Sequence, residues 1–106
     1  MSYFLTQPSL GYPASLSATQ VSSAVDCQNM SKASFQVTAT APGTSTAQLQ
    51  VSNDGVNWVS LGTPTALTAG TIMVEKVDLT QRYCRLNLAV TSGTVTGLSV
   101  IFNGKL

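Results

Sequence analysis

A chain of 106 residues suits one domain with a modest core. Charged side chains are 8% of it, against roughly a quarter in ordinary soluble domains, and the net charge of +1 is scattered singly from Asp26 to Lys105. That distribution contains no basic stripe for nucleic acid, and no apolar run approaches the roughly 20 residues of a membrane span.

The opening MSYFLTQPSLGYP lacks the basic and continuous apolar parts of a secretion signal, so synthesis in a cytoplasm is expected. Residues 1–18 show no sustained periodicity, and Pro8, Gly11 and Pro13 break any regular element. They are expected to form an extended arm. Its apolar residues Tyr3, Phe4, Leu5, Leu10 and Tyr12 would bind a groove on a neighbouring subunit; a tail packed across its own domain is the alternative. The neighbour reading expects deletion of residues 2–16 to leave the rest folded.

From residue 19 to 106 the texture is that of a β-sandwich domain, with short β-rich runs between turn residues. Val21 to Cys27 is the first expected strand. Ser34 to Ala41 follows, with Phe35, Val37 and Ala39 on one face and Gln36, Thr38 and Thr40 on the other. Ala47, Leu49 and Val51 alternate with Gln48, Gln50 and Ser52, the pattern of an antiparallel sheet with one wet face. Asn53-Asp54-Gly55 makes a turn in which Gly55 supplies positive φ, and Val56 to Leu61 returns. Gly62 to Gly70, GTPTALTAG, has no strand pattern and is expected to be a surface connection. Thr71 to Leu79, Tyr83 to Val90 and Val95 to Asn103 complete about seven strands, the last two joined at Ser92-Gly93. The fold class is therefore all-β, an antiparallel sandwich of jelly-roll or immunoglobulin-like kind, with a closed barrel as the alternative.

The surface is wetted by hydroxyls, with 13 serines and 14 threonines, and little charge need be desolvated to bury it against other subunits. Histidine is absent, which removes the usual general base, the Ser-His and Cys-His nucleophile pairs and the commonest zinc ligand. The two cysteines cannot make a zinc site alone. Asp26, Asp54, Glu75 and Asp78 are the available carboxylates, and a solvated strand edge accounts for the last two better than a catalytic pair does. No glycine-rich phosphate loop exists, so no cofactor and no catalysis are expected. Cys27 and Cys84 leave a pairing open, but the alternation of RYCRLNLAV puts Cys84 beside Leu86 and Leu88, where a small buried hydrophobe suffices.

Trp58 has two readings. In the first, its ring covers the end of the core and its N–H meets a turn carbonyl. In the second, Trp58, Asn57 and Asn53 form a glycan platform, an aromatic face beside amide groups.

Ser52, Asp54, Gly55 and Trp58, in the order S-x-D-G-x-x-W, resemble the hairpin of discoidin-like and carbohydrate-binding β-sandwiches. With the Thr/Ala-rich loop, Arg82 to Leu86 and the terminal Asn103-Gly104-Lys105, residues 34 to 105 more closely resemble small bacteriophage virion proteins. The sialidase Asp-box is similar too, but one residue longer. The phage resemblance implies a virion structural protein, such as a capsid decoration or cement protein or a tail component. It also implies a homo-oligomer whose partners are the major capsid or other virion proteins. The alternative is a glycan-binding module for host adsorption.

Overall fold

The computed structural model describes residues 4–8 through their backbone and residues 11–28 and 30–105 in full. Eleven strands and no helix occur among these residues. The alternating segments form the centre. In β5 (Lys32–Ala39) Ala33, Phe35, Val37 and Ala39 are buried, and in β6 (Thr44–Ser52) Ser45, Ala47, Leu49 and Val51 are. In β9 (Tyr83–Ser92) Cys84, Leu86 and Leu88 point inward, and in β11 (Ser99–Lys105) Val100 and Phe102 do. A period of two puts each set on one face of its strand. The two sets then meet as one apolar core.

The first sheet has the order β1-β11-β5-β8, with β1 at Phe4–Pro8 and β8 at Gly70–Lys76. The second has β3-β9-β6-β7, with β3 at Gln20–Val21 and β7 at Val59–Ala66, while β4 (Val25–Asp26) also pairs with β9. All pairings are antiparallel, and β2 (Ser15–Leu16) and β10 (Val95–Thr96) form a small separate ribbon. The all-β sandwich is therefore the architecture. Phe102 and Phe35 are directly paired between β11 and β5 and meet edge to face, their ring centroids 5.1 Å apart.

Four details differ from the sequence expectation. GTPTALTAG is not a connection over its whole length, because β7 continues through it to Ala66. As an outermost strand β7 is wet on both sides and shows no alternation; Gly62, at φ +75°, lies where the β6 register shifts, and Pro64 is tolerated because the edge needs no further donor. The expected Val21–Cys27 strand is two short pieces. Between them Ser22 is buried and its hydroxyl accepts the Leu86 N–H, replacing a ladder bond with a side-chain one. The final strand divides at Gly97, whose φ is +63°, so that Val95–Thr96 turn to pair with β2. The N-terminal segment, finally, is not a featureless arm.

That segment packs in cis. Five residues of β1 pair with β11, from Phe4 opposite Lys105 to Pro8 opposite Ile101, and Leu16 is buried in the core. Deleting residues 2–16 would uncover the β11 edge and remove the buried Leu16 side chain.

Candidate functional site

The turn between β6 and β7 is organised by two side chains. Ser52 Oγ accepts the N–H groups of Asp54 (3.2 Å) and Gly55 (2.9 Å) and donates to Asp54 Oδ1 (2.8 Å). Asp54 Oδ1 also accepts the N–H groups of Val56 and Asn57, each at 2.8 Å, and Oδ2 accepts the Asn57 side-chain amide at 2.8 Å. The Asn57 N–H, the Asn57 amide, the Val56 N–H and the Ser52 hydroxyl together hold the Asp54 carboxyl well below the usual carboxylate range. Gly55 takes φ +75° against the edge of the Tyr83 ring, as its place in the turn requires. Asn53 Oδ1 accepts the Arg82 N–H at 3.2 Å. The Asn57 amide is thus engaged in the turn, and the Asn53 side-chain carbonyl oxygen ties the turn to the segment entering β9.

Trp58 does not cover the core. It precedes Ser60 by two residues, and Ser60 pairs with Gln50 on the outward face of the second sheet. The same parity carries Trp58 to that face, where it is half-buried with its ring over the Arg85 guanidinium, 4.2 Å from carbon to centroid. Arg85 Nε donates to Gln50 Oε1 at 2.7 Å, and Gln50 Nε2 donates to Ser60 Oγ at 3.3 Å. Ser60, Gln50 and Arg85 form one row across β7, β6 and β9. Alongside, Arg82 lies over the Tyr83 ring at 5.0 Å and pairs with Asp26 at 3.4 Å. Arg85 and Gln50 are the members that sequence reasoning missed. Both occupy wet positions of alternating strands, but only the register puts Arg85 beneath the indole and Gln50 beside Arg85.

The described parts of the expected arm lie against their own domain. Tyr3 and Leu10 lie outside the described residues, and the Phe4 and Leu5 backbones belong to β1. Tyr12 is half-buried against the core of its own domain, its hydroxyl directed at the carbonyls of Leu86 and Gln20. Burial pushes its phenol above the ordinary value. On the far side of the sandwich, β7 and β8 are both open edges, and Leu49, Leu61, Met73 and Val74 line a cleft of about 350 Å³ between them.

The fold and this face define an all-β sandwich carrying a polar and aromatic patch. Residues 26–106 match the family model described as a domain of unknown function, DUF6385, and the chain belongs to that family. The match begins within β4, so β1 to β3 lie outside it. A similar fold occurs in the crystal structure of PBSX exported protein XepA, with a TM-score of 0.68 and 18% sequence identity. The likeness covers 94% of this chain but 36% of that one, so the chain spans about a third of that protein's length. No curated protein sequence matches the chain.

Proposed function

We propose that this chain is a non-enzymatic structural module of a bacteriophage particle, of the decoration or cement kind, which adheres to neighbouring virion proteins through the outward face of its second sheet. The observation that carries this reading is Trp58 held over Arg85 in the row with Gln50 and Ser60. Tryptophan and arginine contribute disproportionately at protein interfaces, and a ring already fixed by a cation loses little rotamer freedom on contact. The low charge and many hydroxyls support repeated burial in an assembly, where many modest contacts add through avidity. The resemblance of residues 34 to 105 to small phage virion proteins supports the same reading, as does the fold likeness to PBSX exported protein XepA.

Incubating the purified chain with phage particles, then sedimenting them, tests the proposal. Wild type co-sediments or self-associates. Trp58→Ala and Arg85→Ala lose at least tenfold in binding while circular dichroism keeps the β-sheet signal. Equal binding by all three chains would sink the proposal.

A glycan-binding reading is favoured by one feature, the half-exposed indole outside the core. Asn57 would then act through the turn and Asn53 through its tie to Arg82, with Arg85 as the polar neighbour of the ring and Gln50 bonded to Arg85. Glycan-array binding that vanishes in Trp58→Ala, with an unchanged melting temperature, would select this reading over protein adhesion.

A further inference from the structure

The two cysteines are 57 positions apart and meet in the core. β4 and β9 pair Val25 with Cys84 and Asp26 with Tyr83, and the Cys27 N–H then bonds the Arg82 carbonyl. The antiparallel ladder therefore runs one residue beyond β4. Residues two apart on a strand share a face, so Cys27 lies diagonally across from Cys84 on the inward side. Both thiols are free and buried, 1% and 0% exposed, with their sulfurs in contact at 2.8 Å. The sequence holds no third cysteine.

We propose that Cys27 and Cys84 are a preformed dithiol that closes to an intramolecular disulfide on meeting a small-molecule disulfide, stapling the root of the N-terminal segment to β9. The Cys27 thiolate attacks one sulfur of the oxidant and expels the other as a thiolate, leaving a mixed disulfide on Cys27. Cys84 gives its proton to solvent, attacks the Cys27 sulfur and expels the second thiolate. The protein loses two electrons and two protons, and the oxidant leaves as two thiols. Cys27 lies next to β4 and comes first within reach of the oxidant when β4 opens, and its hydrogen bond with Cys84 favours its thiolate. Access comes through β4, which is two residues long at the margin of the sheet and can open without unpairing β6 from β9.

The staple matters because this segment is held to β9 by few ladder pairs, Gln20 and Val21 in β3 and Val25 and Asp26 in β4. Joining residues so far apart also constrains the unfolded chain strongly.

The test uses the full chain, reduced and folded, incubated with oxidised glutathione, acid-quenched, unfolded, alkylated and weighed. Wild type is expected to lose about 2 Da, to leave neither cysteine alkylatable and to remain monomeric on a non-reducing gel. Its melting temperature should rise by roughly 10 °C, reversibly on adding a reductant. Cys27→Ser should show no oxidation-dependent rise. If that variant does not fold, the thiol count and melting shift of wild type decide alone. Two thiols left alkylatable, a lasting glutathione adduct, disulfide-linked dimers, or a closed bond with an unmoved melting temperature would each overturn the proposal.

Discussion

The outward faces of the two sheets are built from the same kind of alternating strand and yet differ in construction. On the second sheet, side chains bond one another across three strands: Ser60 to Gln50, Gln50 to Arg85, and Arg85 beneath Trp58. On the first sheet, Ser34, Gln36 and Thr38 of β5 face solvent, with Thr38 in contact with Thr71 at 3.0 Å and the Ser34 hydroxyl bonded to the Asn103 carbonyl at 3.4 Å. The difference teaches that exposure alone does not mark a working surface. A surface prepared for a partner has its large groups already held, so that little order remains to be imposed when contact is made.

The largest effect comes from beneath both faces. Phe35 is fully buried against Phe102, and Phe35→Ala should cost about 3–5 kcal/mol in chemical denaturation, weakening both faces together. A loss confined to one face would show that the sheets fold independently. Next is Arg85→Ala, which removes both the support of the indole and the Gln50 bond. It should cost about 1–2 kcal/mol of stability, and quenched Trp58 fluorescence should change as the ring loosens.

Asp54 gives a smaller, pH-dependent effect. Its folded carboxyl titrates below the unfolded one, so its contribution is complete above about pH 4 and is lost as the pH falls toward the depressed value. Wild type should therefore melt above Asp54→Asn at neutral pH, and the gap should narrow steadily on acidification below about pH 4. A gap that widens in acid would contradict the turn geometry. Smallest is Gln36→Ala on the first sheet, expected to change stability by no more than about 0.5 kcal/mol and particle binding not at all. If it abolishes binding, the adhesive face has been assigned to the wrong sheet.

Much of this architecture is legible in the sequence. The alternation in residues 34–41 and 47–52 and in RYCRLNLAV names the inward faces, and Asp54-Gly55 names the turn, because a period of two and a positive φ are local demands that particular residues meet locally. The strand character of GTPTAL was hidden for the complementary reason. An edge strand wet on both sides has no preferred parity, so its pairing with β6 leaves no trace in its own pattern.

Of the candidate site, the sequence named Trp58 and left its side open between core and surface. It named Asn53, whose side-chain carbonyl oxygen accepts the Arg82 N–H, and Asn57, whose amide bonds Asp54, and missed Gln50 and Arg85.

The sequence by itself determined that this chain makes stacked antiparallel sheets coated with hydroxyls, since composition and short-range periodicity suffice for that. Tertiary structure decided that residues 4–8 join the chain's own sheet, that the indole rests on a guanidinium from a strand 27 positions away, and that two distant sulfurs touch. Those outcomes depend on the register between strands, which is set by how the whole core closes and not by any one segment.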